Sequence, residues 1–160
     1  MPKHKYTLLY YIGIPLAFLL LLAACDTRVV YNHYEHTSSA GWEKNDALAF
    51  STKPMTQDGN YIEEVGLRIT TSYPFTQLTL VIEQTILPAH TLFRDTLNCD
   101  LINEKGIPEG PGISHFQYRF PLKPLPLAKG DRLKVVVRHD MKREILPGIS
   151  DVGIRLIREK

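Results

Sequence analysis

The strongest constraint on how this chain folds is an apolar–polar alternation of period two that restarts after each turn-forming stretch. Val65, Leu67 and Ile69 are apolar, and Arg68 and Thr70 are polar. Leu78, Leu80 and Ile82 repeat the pattern, residues 92–101 hold Leu97, Cys99 and Leu101 in phase, and Phe116-Gln117-Tyr118-Arg119-Phe120 alternates strictly. Successive side chains of an extended strand point to opposite faces, so each such segment buries one face and wets the other. Leu133 to Arg138 is valine-rich and is predicted to be a central strand, Leu48 to Thr52 a short early one, and Val152 to Ile157 the last. Gln57-Asp58-Gly59-Asn60, Asn103-Glu104-Lys105-Gly106, Ala128-Lys129-Gly130-Asp131 and Leu146-Pro147-Gly148 are turn sequences between them. Leu122 to Leu127 is extended, but Pro124 and Pro126 lack the donors that a central strand or a helix needs. Helical periodicity is weak after residue 25, and one short turn over Asp140 to Glu144 is the best helical candidate. The expectation is an all-β fold, a single antiparallel β-sandwich of jelly-roll type with about eight strands.

The N-terminus has a different composition. Lys3 and Lys5 precede an apolar run from Leu8 to Leu22, interrupted by Gly13 and Pro15 and closed by Leu22-Ala23-Ala24-Cys25. A basic start, an apolar middle and a small-residue end are the parts of a secretory signal peptide. An uncleaved membrane anchor needs roughly 20 apolar residues, which Thr7 to Ala24 nearly supplies. The Leu-Ala-Ala-Cys ending decides for processing, because it resembles the lipobox read by lipoprotein signal peptidase. Residues 1–24 are therefore expected to be a lipoprotein signal peptide. Cys25 is expected to be the lipidation site that attaches the chain to a membrane, with 25–40 a lipidated tether, in which Val29-Val30-Tyr31 is a candidate short first strand, and 41–160 the β-sandwich domain.

Removing Lys3 and Lys5 leaves 17 of the 19 Lys+Arg residues, equal to the 17 Asp+Glu, since residues 1–24 contain no acid. A formally neutral chain lacks the clustered basic face that nucleic acid demands, so no nucleic-acid partner is expected. Cys25 and Cys99 are the two cysteines. With Cys25 lipidated, Cys99 has no partner for an intrachain disulfide and is read as a buried structural thiol.

The sequence carries no GxSxG elbow, phosphate-cradling GxxxxGK or HExxH. No catalytic residue, cofactor-binding residue or metal ligand is assigned, no cofactor is expected, and the chain is read as not an enzyme. His33, Glu35 and His36 are the nearest approach to a ligand cluster. On a strand His33 and Glu35 share a face and His36 points away, so a solvated tether is the simpler account. Trp42 with Tyr31, Tyr34 and Tyr61 offers an aromatic platform for sugar, which keeps a carbohydrate-binding module as the alternative function. Aromatics serve more often in cores and at strand edges. Arg94, Asp95, Arg119 and Asp131 are read as charges on exposed strand faces rather than as pairs. The loop Glu104 to Gly112 holds more glycine than a plain hairpin needs. Either a partner approaches its backbone closely or it is a long mobile hairpin tip.

These features together resemble the GldH family of gliding-motility lipoproteins of the Bacteroidota. The resemblance is carried by Cys25-Asp26 with Val30-Tyr31, by Gly41-Trp42 ahead of Leu48-Ala49-Phe50, and by Tyr73 with Leu78 to Ile82. Asp95-Thr96-Leu97 then leads to the loop Gly106 to Gly112, and Met141-Lys142-Arg143 precedes Leu146-Pro147-Gly148-Ile149-Ser150-Asp151-Val152-Gly153-Ile154, the most specific stretch. The family pattern asks for a large residue such as Trp before Gly110, where this chain has Ile107-Pro108-Glu109. The resemblance implies a non-catalytic cell-envelope lipoprotein of the gliding machinery or of envelope assembly. It would be a scaffold that binds other envelope or gliding-machinery proteins, and Cys25 is the residue that carries over. Surface-exposed lipoproteins of that phylum often carry acidic clusters after the cysteine. Asp26-Thr27-Arg28-Val29-Val30 has one acid, which favours the periplasmic face of a membrane.

Overall fold

The computed structural model describes residues 28–160. The expected signal peptide and Cys25 lie outside the described residues. Eleven strands follow in chain order: β1 Val29–His36, β2 Trp42–Glu43, β3 Leu48–Ser51, β4 Gly59–Thr70, β5 Gln77–Leu87, β6 Thr91–Asp100, β7 His115–Pro121, β8 Leu125–Leu127, β9 Arg132–His139, β10 Ile145–Leu146 and β11 Ile149–Arg158. One sheet has the order β1-β11-β4-β7 with β8 also on β4, the other runs β3-β9-β5-β6, and β10 pairs with β2. All of these pairings are antiparallel. The fold is an all-β sandwich and not a closed barrel, since each sheet keeps two edges.

The alternation explains the packing. Tyr61, Val65, Leu67 and Ile69 of β4 face inward beside Val152, Ile154 and Leu156 of β11. Leu78, Leu80 and Ile82 of β5 and Leu133, Val135 and Val137 of β9 face them from the other sheet. The apolar inner faces of both sheets form one core.

Two expectations change. The tether expected over 25–40 gives up residues 29–36 to β1, which pairs with β11 from Val29↔Ile157 to His36↔Asp151. Val29-Val30-Tyr31 is the short strand the sequence offered, and long-range pairing extends it through the polar residues Asn32 to His36. The helical turn expected over Asp140–Glu144 is a bend. Its backbone groups are taken elsewhere: Asp140 N–H donates to Thr79 O (2.8 Å), Glu144 O accepts from Lys44 N–H (2.8 Å), and Met141 O accepts from Lys44 Nζ (2.9 Å). The Pro-containing segment after β7 is extended and not a central strand, as expected: β8 pairs only with the first three residues of β4.

One outer-face feature fixes β1. Gly66 and Gly153 are paired across β4 and β11, and Tyr34 of β1 lies opposite Gly153. The Tyr34 ring covers both glycines, with the Arg68 guanidinium 4.3 Å above its centroid. A Cβ at Gly153 would lie 2.6 Å from Tyr34 Cδ1. Gly153→Ala is therefore expected to cost about 1–3 kcal/mol in urea unfolding. In a Tyr34→Ala background most of that penalty should vanish, because the clash partner is gone. An undiminished penalty there would mean that Tyr34 is not what requires the glycine.

Candidate functional site

The polar groups drawn into the sandwich are the starting point. Glu63 of β4 is fully buried, in phase with Val65 and beside Leu156 of β11. Gln84 of β5, in phase with Ile82, reaches across the core, and its Nε2 donates to Glu63 Oε2 at 2.8 Å. The other two oxygens, Glu63 Oε1 and Gln84 Oε1, are buried and lack protein partners. Burial, opposed by the Gln84 hydrogen bond and reinforced by the Asp95 charge, pushes the Glu63 carboxyl up to about 7. A neutral carboxylic acid is the form that suits this place. Its hydroxyl supplies the donor that the two orphan oxygens lack, so acid and amide can satisfy each other. Asp95 thus faces the interior side of β6, not the exposed strand face expected for it.

Near the other end of the sandwich, Trp42 is buried, donates Nε1–H to Asp46 O at 2.8 Å, and stands edge-on to His139 at 5.1 Å. His139 in turn contacts Trp42 O through Nε2 at 3.1 Å. Burial lowers the His139 pKa, with the Trp42 carbonyl opposing it.

The candidates from sequence do not converge. His33 and Glu35 pair on one face of β1 at 3.0 Å, while His36 meets Asp151 on the other. Among the described residues no group of three or more His, Cys, Asp or Glu is placed to hold a metal ion. Trp42 and Tyr61 are core residues, Tyr61 donating its hydroxyl to Gln57 O at 2.7 Å, and Tyr34 covers the glycines. The four aromatics therefore build no common sugar platform. Arg94 turns to Glu83 (3.5 Å), and Asp131 accepts Ala128 N–H in a turn (2.9 Å). Cys99 is buried, and burial, with the Asp100 charge adding, pushes its thiol up to about 12. In the glycine-rich loop, Gly110 is pressed against β7, where a Cβ would stand 2.7 Å from Tyr118 Cζ. That glycine serves an internal contact. Asn103 Oδ1 organises the loop by accepting from Lys105 N–H and Ile107 N–H, both at 3.0 Å. Beneath it is an open groove of about 530 Å³ lined in part by Gln77, Asp100, Glu104 and Glu109.

The model of the GldH lipoprotein family matches residues 29–156, from the first residue of β1 into β11. The chain belongs to the GldH lipoprotein family. It is 31% identical over 155 residues to the gliding motility lipoprotein GldH of Flavobacterium johnsoniae, covering 90% of this chain and 94% of that one. It is 25% identical over 150 residues to a GldH homolog of Christiangramia forsetii, covering 86% and 89% respectively. Among solved structures it is similar to part of a family GH115 4-O-methyl-α-glucuronidase, at TM-score 0.46 and 14% identity, over 85% of this chain and 18% of that one. The GldH match takes in β1, so the strand belongs to the family's common unit and not to a variable leader.

Glu63 and Gln84 were legible in principle. Each continues an inward-facing period-two series, Glu63 with Val65, Leu67 and Ile69 and Gln84 with Leu78, Leu80 and Ile82. A polar residue in phase with an apolar face is the signal, and it was hidden because strand assignment stops at the first polar residue.

Proposed function

We propose that this chain is a non-catalytic, lipid-anchored component of the gliding-motility or envelope-assembly machinery, acting as a scaffold for another envelope protein. The family match over 29–156 carries the proposal, together with the naming of two relatives as gliding motility lipoproteins. The reactive side chains support it: the Cys99 thiol, Glu63 and His139 are all inside the core. Cys25 is the proposed lipid attachment site, on the periplasmic face of a membrane. Two or more acyl chains would hold the protein there stably.

Cys25→Ser is the direct test of the anchor. The variant is expected to remain unprocessed or to leave the membrane fraction, read by fractionation and the mass of the mature protein. Unchanged processing and attachment would overturn the anchor. For the machinery, deletion should abolish gliding where the organism glides, or perturb envelope assembly where it does not. A wild-type phenotype in both assays would remove the basis of the proposal.

A further inference from the structure

The two ends of the sandwich differ chemically, and the chain enters at one of them. Arg158 N–H donates to Arg28 O and Glu159 N–H to Asn60 O, both at 2.9 Å, so residue 28 lies beside the end of β11 and the start of β4. The start of β4 pairs with β8, and the turn after β8 leads into β9, whose Arg132 pairs with Leu87 at the tip of the β5–β6 hairpin. The entry point, the 128–131 turn and the hairpin tip therefore share one end.

That end combines apolar tips with basic turns. Leu92 is 62% exposed, Phe93 40% and Val30 42%. Around them stand the exposed cations Lys53, Lys123, Lys129, Arg132 and Lys160. Of the acids at this end, Asp58 and Asp131 are engaged in the turns, Asp58 accepting Lys129 N–H at 2.7 Å and Asp131 accepting Ala128 N–H at 2.9 Å, while Glu159 is exposed beside Lys160, so cations outnumber acids there. The opposite end also exposes apolar groups, Ile107, Ile113 and Ile145, but there Lys105, Lys142 and Arg143 are outnumbered by the exposed acids Glu43, Asp46, Glu104, Glu109, Asp140 and Glu144.

We infer that the end carrying Leu92, Phe93 and Val30 rests on the phospholipid surface of the membrane that holds the anchor. This orientation rests on Cys25 as the lipid site. Asp26 and Thr27 alone separate Cys25 from Arg28, a distance of three residue steps, and a fully extended chain spans at most about 3.6 Å per step. The sandwich thus has roughly 10 Å of slack, too little to turn another end to the bilayer. Apolar side chains that enter the boundary between headgroups and acyl chains, with lysine and arginine at headgroup level, form an interfacial contact, and anionic headgroups complement the cations.

The full lipidated chain in vesicles of phosphatidylethanolamine and phosphatidylglycerol with shallow nitroxide-labelled lipid tests this. Fluorophores are placed at Leu92→Cys or, as the distal control, Ile113→Cys; Cys99 is buried and Cys25 is occupied by lipid. The probe at position 92 should lose about half or more of its intensity, and that at 113 should be unchanged. Adding Phe93→Asp, at an exposed site, should reduce the quenching at 92. Vesicle flotation without quenching at 92 would overturn this orientation and leave the anchor standing. Failure to float would overturn the anchor and the orientation with it. A probe at 92 shielded only when envelope proteins are added assigns the tip to a protein and also overturns the inference.

Discussion

Raising the pH from 4.5 to 7 is expected to remove about 3 kcal/mol of stability through Glu63 alone. The carboxyl is pushed from 4.5 up to about 7 in the folded chain, mainly by burial. A tenfold change in proton affinity between the folded and unfolded chain is worth about 1.4 kcal/mol. Below pH 4.5 both states hold the proton and the contribution is fully present. Between 4.5 and 7 the unfolded chain releases it while the folded chain retains it, so stability falls, and above 7 the loss is complete. His139 works in the opposite sense. Its pKa is lowered, so its contribution is present above the ordinary histidine value and is lost as the pH falls. Glu63→Gln isolates the carboxyl, because a second amide can exchange hydrogen bonds with Gln84 as the neutral acid does. Urea unfolding at pH 5 and pH 8 should show the Gln variant gaining about 3 kcal/mol on wild type between the two. An equal difference at both pH values would mean that Glu63 does not carry its proton in the fold.

Trp42→Ala is expected to cost about 3–5 kcal/mol, the largest loss of any single truncation proposed for this chain. Trp42 is fully buried on a two-residue strand, against Leu146 of β10 and the ring of His139. Removing the indole leaves a cavity and strands Asp46 O, which accepts the Nε1–H bond. Ordinary domains have about 5–15 kcal/mol in total, so such a loss takes much of the margin. Trp42→Phe separates packing from polarity. It keeps a ring and loses the donor, and should cost about 1–3 kcal/mol. Circular dichroism in urea measures both, since Trp42 is the chain's one tryptophan and its own fluorescence disappears with it. A cost under about 1 kcal/mol for the Ala variant would show that the β2–β10 ribbon is dispensable to the core.

The long strands were legible because their alternation is local. Val65 to Ile69, Leu78 to Ile82 and Leu133 to Val137 announce their inner faces without help from elsewhere in the chain. β1 was legible only at Val29-Val30-Tyr31, since Asn32 to His36 is polar and reads as a tether. It is a strand because β11, more than a hundred residues away, offers an edge, and because Gly153 and Gly66 leave a trough for Tyr34. Trp42 and Tyr61 were visible as aromatics, but whether a ring faces water or core depends on what packs over it. The interior polar pair escaped for a different reason. A charged residue marks an exposed position, and Glu63 breaks that rule by being most stable as a neutral acid. That His33, Glu35 and His36 do not converge follows from strand geometry alone, which sends His36 to the opposite face.

The antiparallel pairing of β4 with β7 has a mechanical consequence. At about 3.3 Å per residue, the twelve residues of β4 span about 40 Å. One end of that span adjoins Arg28; the other, where Thr70 pairs with His115, adjoins the glycine-rich loop with its exposed Ile107 and Ile113. Any protein seated on that loop would be held one sandwich height from the proposed anchor. With Cys25 as the lipid site and the sandwich oriented as proposed, the domain would work as a strut, setting a fixed standoff between a bilayer and whatever it carries.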